Sequence, residues 1–194
     1  MLISTLKKLQ KYEICGYTDM SDKGEILGIR YLGNDHSLSE IRQTVVCAAI
    51  GIGKVEVNSP ARERIVMTLE SLGFELPVII SPNACVNPEV LFGKGTIVFD
   101  GVVINSGSVV GAYCVINTGC IIEHDCKLGK DVFISPGAVL CGGVNVGAHS
   151  VVGAKSVVIQ GIKIVADCLI GAGSVVVKDL NLAGTYVGSP ASLI

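Results

Sequence analysis

The chain has 194 residues, of which 49% are hydrophobic, and its formal net charge at pH 7 is −2. No cluster of lysine and arginine is dense enough for nucleic-acid binding, and no apolar run reaches the roughly 18 residues of a membrane-spanning helix. The 8 cysteines are too few for a disulfide-dense scaffold, so we expect reduced thiols and a cytoplasmic protein.

The first part of the chain alternates between helical and strand-like patterns. A first helix is predicted from apolar residues spaced on one helical face, Leu2, Leu6 and Leu9. Segments 12–18 and 45–52 are short apolar runs that stop directly before Asp19 and Gly53, which is typical of strands. A second helix is predicted to begin with Ser59 as N-cap and Pro60 in the first turn, and to stop at Gly73. Strands separated by helices imply a small parallel sheet.

A six-residue period begins at Ile80 and extends to the C-terminal region. Every sixth residue is apolar: Ile80, Val86, Phe92, Val98, Ile104, Val110, Ile116, Ile122, Leu128, Ile134, Leu140, Val146, Val152, Val158, Ile164, Ile170, Val176 and Leu182. The residue two places before each of these is mostly small, and both positions are expected to point inward. A short fixed repeat of this kind predicts a parallel β-helix in which each hexad supplies one strand and one corner.

A second period, three times as long, lies on the first. Polar residues recur at every third outward position in Lys127, Asn145, Lys163 and Asn181, so three hexads make one coil and one face is wetter than the others. The apolar outward residues are Val109, Val115, Ile121, Val139, Val151, Val157 and Val175. On a monomer they would form a large exposed apolar patch, and we therefore predict a homotrimer.

The segment "IEHDC" places an acid, an imidazole and an acid in a row. His124 falls at a corner of the predicted coil, where side chains point outward, and a carboxylate bonded to one ring nitrogen makes the other nitrogen a better base. Glu123 has no assigned role. His149 also falls at a corner, but with no acid beside it, and is interpreted as a surface residue. His36 is interpreted as a loop residue near a helix start.

Two further motifs have competing interpretations. Cys114, Cys120 and Cys126 occupy inward positions of one coil, where they are expected to pack as small hydrophobes; a trapped metal ion is the alternative. The run "AAIGIGKV" at 48–55 is either a tight turn after a strand or a nucleotide-binding loop at the edge of a parallel sheet.

Four segments carry a family resemblance: "NTGCIIEHDCKLG", "FISPGAVLCGG", "YVGSPASLI" and "GYTDMSDKGEILGIRYLG". They resemble the hexapeptide-repeat sugar acyltransferases, which include the N-acetyltransferases of bacillosamine and perosamine biosynthesis and the sialic acid O-acetyltransferases. The resemblance implies a β-rich protein of two domains. Residues 1–79 would form a truncated, Rossmann-like α/β nucleotide-sugar-binding domain, and residues 80–194 a left-handed parallel β-helix. It also implies a homotrimer with acetyl-CoA between neighbouring prisms.

The resemblance assigns roles residue by residue. It makes His124 the catalytic base, Asp125 its acidic partner and Asn117 a further active-site residue. It places acetyl-CoA on the coils around Gly142, Ala154 and Ala172, and near Phe133, where many members carry a second histidine. It places the nucleotide sugar near Asp19, Met20 and Gly51. No metal is implied.

These roles imply acetyl transfer from acetyl-CoA to an amino group of a nucleotide-linked sugar, with Gly142 or Gly143 as oxyanion donors. The alternatives are a sugar O-acetyltransferase, a zinc-dependent β-helical carbonic anhydrase, disfavoured because the three histidines have no matching spacing, and a non-catalytic scaffold. Family members carry a first strand and a glycine-rich loop ahead of the first helix, whereas this chain begins at the helix. We therefore expect a complete acetyl-CoA site, an incomplete acceptor site and weak acceptor binding.

Overall fold

A computed structural model describes residues 1–54, 56–57 and 59–194. The chain divides into two compact units, one of Met1–Gly53 and Ser59–Pro77, the other of Lys54–Asn58 and Val78–Ile194. Among the described residues, no helix has both the length and the apolar character needed to cross a bilayer.

The first unit contains the helices. They are α1 (Leu2–Leu9), a 3₁₀ turn (Asp35–Ser37), α2 (Leu38–Ile41) and α3 (Pro60–Ser71). Helix α3 begins at Pro60 and is followed by Gly73 with a left-handed φ of 75°, as predicted. Ser59 is the N-cap residue, as predicted, but among the described residues its side chain makes no capping hydrogen bond; its carbonyl accepts from the Glu63 amide.

The two predicted strands of this unit are reduced to single-residue bridges among the described residues. Among the residues described there, segments 12–18 and 45–52 pair only through isolated parallel bridges, Tyr17 with Tyr31 and Cys47 with Glu75. A short apolar run indicates burial, but a ladder also needs a partner that stays in register over several residues. The predicted parallel direction of pairing is nevertheless correct.

The second unit is built from very short strands. In chain order they are β1 (Ile79–Ile80), β2 (Cys85–Val86), β3 (Leu91–Phe92), β4 (Ile97–Val98), β5 (Val103–Ile104), β6 (Val109–Val110), β7 (Val115–Ile116), β8 (Ile121–Ile122), β9 (Lys127–Leu128), β10 (Phe133–Ile134), β11 (Val139–Leu140), β12 (Asn145–Val146), β13 (Val151–Val152), β14 (Val157–Val158), β15 (Lys163–Ile164), β16 (Cys168–Ile170), β17 (Val175–Val176), β18 (Gly184–Val187) and β19 (Ser192–Leu193).

These strands form the three faces of a parallel β-helix. Sheet 1 has the order β1-β4-β7-β10-β13-β16-β18-β19, sheet 2 has β2-β5-β8-β11-β14-β17, and sheet 3 has β3-β6-β9-β12-β15. Val115 pairs with Phe133, the residue three hexads later, and this spacing defines one coil. In every strand from β1 to β17 except the three-residue β16, the second residue is the apolar residue of the six-residue period; in β16 it is the third. The predicted fold class is confirmed.

The predicted inward position of Leu182 is wrong. Its side chain is 66% exposed, whereas Leu180 is 2% exposed and bridges to Ile164. Leu169 pairs with Thr185, although the regular coil spacing would pair it with Val187. The last coil is therefore shorter by two positions, and the hexad period ends before Leu182.

The cysteines of the interior are packed and hydrogen-bonded. The Sγ atoms of Cys114, Cys120 and Cys126 donate to the carbonyl oxygens of Gly129, Ser135 and Cys141, at 3.1, 3.0 and 3.3 Å respectively. Burial raises the pKa of Cys120 and of Cys126 to about 11. Metal binding needs thiolates, so this environment favours the packing interpretation.

The outward apolar residues do not form one patch. Val115 and Val151 on sheet 1 are each only 5% exposed within the chain, and Val109 lies on sheet 3 in register with Lys127. Sheet 3 is the wetter face, since Lys127, Asn145 and Lys163 stack there, while Asn181 lies outside the strands. Sheet 2 carries the remaining apolar outward stripe: Val103, Ile121, Val139, Val157 and Val175.

Candidate active site

The corners of the β-helix form three edges that position the site residues. Edge 1–2 holds the corners that lead from sheet 1 to sheet 2, edge 2–3 those from sheet 2 to sheet 3, and edge 3–1 those from sheet 3 to sheet 1. Corner residues separated by three hexads lie on the same edge as neighbours in successive coils, because the strands that flank them pair with that offset.

His124 and Asp125 form a hydrogen-bonded pair on edge 2–3. His124 Nδ1 lies 2.8 Å from Asp125 Oδ2, and the two side chains are 65% and 70% exposed. The ionised carboxylate can only accept a hydrogen bond, so Nδ1 of the neutral ring carries the proton. The lone pair therefore lies on Nε2, the nitrogen that can take a proton from another molecule.

Two glycines in the neighbouring coils leave room for this pair. A Cβ atom on Gly142 would lie 2.5 Å from His124 Nε2, so the ring packs against bare backbone in the next coil. Gly107 lies in the previous coil, and a Cβ atom on it would be 2.4 Å from Asp125 Oδ1. Asp125 itself adopts a left-handed φ of 58°, which Asp tolerates better than most residues.

Glu123 is the last of three polar side chains that form a ladder of hydrogen bonds through successive coils on edge 2–3. The Asn105 side-chain amide donates to Glu123 Oε2 at 2.8 Å, and that of Asn87 donates to Asn105 Oδ1 at 3.1 Å. No role could be assigned to Glu123 from its neighbours along the chain, although the coil period places these three residues in register on one edge. The ladder holds the Glu123 carboxylate toward the preceding coil.

One of the two amides predicted as oxyanion donors, that of Gly143, already donates a hydrogen bond within the chain. The Gly143 amide donates to the His124 carbonyl at 2.8 Å, which joins the two coils at this corner. Gly143 is therefore unsuited to that role, and the expectation for it is wrong. Gly142 lies directly beside the His124 ring, and its assignment stays a prediction.

The other residues assigned to catalysis and acetyl-CoA lie elsewhere on the prism. Asn117 is on edge 1–2, where it is 6% exposed and its side-chain amide donates to the Ile134 carbonyl at 2.8 Å. Ala154 and Ala172 are on the same edge, one coil apart. Phe133 lies on sheet 1 between Val115 and Val151 in register. Within one chain, these residues are thus separated from His124 by the width of a face.

His149 does have an acid beside it, contrary to the prediction. Its Nδ1 lies 3.4 Å from Asp131 Oδ2 in the preceding coil on edge 3–1. The same oxygen is 2.7 Å from Lys54 Nζ, which also donates to the carbonyls of Asp131 and His149. The Lys54 side chain is only 1% exposed. The acid was missed because it is adjacent through the coil and not along the chain.

Asp19, Met20 and Gly51, the residues assigned to the nucleotide sugar, lie in the first unit. Asp19 Oδ1 accepts from the Ser21 amide at 3.2 Å, and its carbonyl accepts from the Tyr31 hydroxyl at 3.1 Å. Met20 is 94% exposed, and Gly51 is exposed in the glycine-containing loop before residue 54.

Family comparisons agree with this architecture. The sequence pattern of the PglD N-terminal domain matches residues 1–69, and that of the bacterial transferase hexapeptide (six repeats) matches residues 108–142 and 125–160. A search of curated proteins found no match.

Solved structures include full-length matches. PerB from Caulobacter crescentus, in complex with CoA and GDP-perosamine, is 33% identical with a TM-score of 0.92, over 100% of this chain and 90% of that one. The chain belongs to the hexapeptide-repeat sugar acyltransferases. The acetyltransferase domain of PglB from Neisseria gonorrhoeae FA1090, in complex with acetyl coenzyme A, is 29% identical with a TM-score of 0.91, over 98% of this chain and 91% of that one. WeeI from Acinetobacter baumannii AYE, 24% identical over 100% and 93% of the two chains with a TM-score of 0.83, shares the fold. These matches confirm the predicted family and the assignment as an acetyltransferase.

Proposed function

We propose that this acetyltransferase moves the acetyl group of acetyl-CoA to an amino group of a nucleotide-linked sugar, with His124 as general base. The observation that carries the proposal is the exposed His124–Asp125 pair, whose 2.8 Å contact leaves Nε2 as the basic nitrogen. The ligands of PerB and PglB, namely CoA with GDP-perosamine and acetyl coenzyme A, support the choice of both substrates.

The chemistry requires one mobile proton. The neutral amine attacks the thioester carbonyl, and His124 Nε2 takes the proton that the amine loses as the C–N bond forms. Asp125 stabilises the resulting imidazolium through its bond to Nδ1. When the C–S bond breaks, the imidazolium returns the proton to the departing CoA thiolate. A positioned base of this kind contributes about 10²–10⁴-fold to the rate.

The complete site is proposed to form between two chains of a homotrimer. Sheet 2 carries the partly exposed apolar stripe and lies between edge 2–3, with His124 and Gly142, and edge 1–2, with Asn117, Ala154 and Ala172. Packing sheet 2 against a neighbour would bring edge 2–3 of one chain toward edge 1–2 of the next. Burial of the stripe contributes roughly 25 cal/mol per Å² of apolar surface.

The compartment follows from the substrates and the thiols. The two proposed substrates, acetyl-CoA and a nucleotide sugar, are taken to be cytoplasmic metabolites. Each of the 8 cysteines is free, as expected for a reducing compartment. We therefore retain the cytoplasm as the proposed location.

The test is a thiol-release assay with acetyl-CoA and a panel of acceptors that includes GDP-perosamine, other nucleotide amino sugars and sialic acid. Release that requires a nucleotide amino sugar, with an N-acetylated product identified by mass spectrometry, supports the proposal. Release only with sialic acid would assign the chain to the O-acetyltransferases instead. Binding of acetyl-CoA by titration calorimetry, without turnover of any acceptor, would overturn the proposed acceptor class.

A further inference from the structure

The residues that directly follow the strands of sheet 2 form one column on edge 2–3, and the character of this column changes beside the proposed base. In chain order, one coil apart, they are Asn87, Asn105, Glu123, Cys141, Ile159 and Val177. The first three are polar, whereas Ile159 and Val177 are aliphatic and are 38% and 43% exposed. His124 adjoins the column at the step from polar to apolar, so the two directions along the edge offer different surfaces to a ligand.

The Glu123 carboxylate has one oxygen atom that the chain does not use. Its Oε2 accepts from the Asn105 side-chain amide, and Asn105 Oδ1 accepts in turn from Asn87. Among the described residues, Asn105 is the one side-chain partner of Glu123, so Oε1 is left without one. A ladder that only stabilised the corner would need no charge at its end. This ladder ends in a half-buried carboxylate that presents an acceptor to a bound molecule.

The chemistry of the carboxylate restricts what can bind it. An ionised carboxylate can only accept hydrogen bonds, so its ligand is a donor, and the anionic phosphates of both proposed substrates are excluded. The reacting amine lies on the other side, because the His124 ring packs against Gly142 of the following coil while Glu123 is bonded toward the preceding coil. The remaining donors on a sugar ring are its hydroxyl groups.

We propose that Glu123 is a specificity-determining residue for the acceptor: its free oxygen accepts a hydrogen bond from a sugar hydroxyl beside the reacting amine, and Asn105 is the positioning residue that fixes it. Because Glu123 and His124 are consecutive residues, the groups that they bind are neighbours on the sugar ring. The inference rests on the proposed function, since it takes a sugar as acceptor and His124 as the base.

A cycle of one variant and one substrate analogue tests the contact. The two acceptors are the nucleotide amino sugar of the panel that binds most tightly and its analogue in which hydrogen replaces the hydroxyl beside the amine. The wild type should prefer the first about 10–100-fold in kcat/KM, because the analogue leaves a charged acceptor unpaired. Glu123→Ala should reduce this preference to less than about threefold, chiefly through KM. Glu123→Gln should keep part of it, since an amide oxygen is a neutral and weaker acceptor.

Variants of the neighbouring residues separate positioning from packing. Asn105→Asp sets a second carboxylate against Glu123, and the repulsion should lower the preference about as far as Glu123→Ala does. Glu89→Ala is the matched control, because Glu89 is an exposed acid on the same edge, and it should leave the preference within about twofold of the wild type. A ladder with a purely structural role would lower Tm in the Asn105 variant without changing the ratio between the two sugars.

Calorimetry with the two sugars in the absence of acetyl-CoA measures the same preference without turnover. If the wild type binds both sugars equally, or if Glu123→Ala weakens both to the same extent, the inference is overturned even when acetyl transfer proceeds. A wild-type chain that binds neither sugar at millimolar concentration also overturns it. If Glu123→Ala removes the binding preference while no sugar is acetylated, the inference holds and the proposed function fails.

Discussion

Two corners of the β-helix each combine a histidine with an aspartate, and they differ in what the aspartate does. At edge 2–3 the carboxylate of Asp125 contacts the ring of His124 at 2.8 Å, and both side chains are largely exposed. At edge 3–1 the carboxylate of Asp131 contacts the buried ammonium of Lys54 at 2.7 Å and the ring of His149 only at 3.4 Å. One aspartate serves the imidazole, whereas the other mainly neutralises a buried cation.

The difference shows that a histidine and an acid in contact do not by themselves indicate a base. A carboxylate that already balances a buried ammonium has little capacity to stabilise an imidazolium as well. The two histidines also lie at different positions within their corners. His124 corresponds to Ala148 of the other corner, whereas His149 corresponds to Asp125. These last two residues both have a left-handed backbone, with φ of 61° for His149 and 58° for Asp125. The position of His124 points its side chain to open solvent beside a glycine, which suits a group that exchanges protons.

The largest expected effect comes from removing the exposed histidine. His124→Ala should lower kcat at least about 100-fold, because it removes the proposed general base. His149→Ala should change kcat less than about threefold. The measurement is steady-state acetyl transfer, with circular dichroism as the check on folding. Equal losses in the two variants would show that the comparison of the two corners is wrong.

Removing the buried cation should affect stability and not chemistry. Lys54→Met leaves Asp131 without its main partner, and we expect a loss of about 2–3 kcal/mol in the free energy of unfolding, less than for a fully buried pair because Asp131 is partly exposed. Urea denaturation followed by circular dichroism measures this. Lys127→Met, on the wetter face, is the control and should change it by less than about 0.5 kcal/mol. If the Lys54 variant is as stable as the control, the ion pair does not contribute to the free energy of unfolding.

A smaller effect is expected from neutralising each aspartate in turn. Asp125→Asn keeps a residue that tolerates the left-handed backbone, but it no longer stabilises the imidazolium, so kcat should fall about tenfold. Asp131→Asn should leave kcat within about twofold. The contrast fails if Asp131→Asn reduces kcat as much as Asp125→Asn does.

The smallest effect concerns the glycine beside the ring. Gly142→Ala would place a methyl group 2.5 Å from His124 Nε2, and the exposed ring can swing away to relieve the clash. We expect a loss of about two- to fivefold in kcat and a change of less than about 0.5 kcal/mol in unfolding free energy. A large loss of stability would instead mean that the ring is held more firmly than its exposure indicates.

The β-helix could be predicted well from the sequence because its inward positions repeat locally, and each hexad carries its own evidence. Prediction failed where pairing depends on distant residues. Leu182 was assigned inward because nothing before it signals a shortened coil. The Asp131–His149 contact follows from the spacing of one coil and could have been found, as could the packing of His124 against Gly142 and of Asp125 against Gly107. The contact of Lys54 with Asp131 spans 77 residues outside any period, so sequence reasoning had no access to it.

The coil of three hexads also acts as a ruler for changes in chain length. Removing or inserting one whole coil would shift every later residue by one level and leave it on the same edge, whereas a change of a single hexad would move it to the next edge. We therefore expect insertions and deletions of one whole coil to be tolerated better than those of a single hexad, because they leave later residues on their original edge. The length of an insertion or deletion is thus constrained to whole coils, a constraint that does not apply to substitutions.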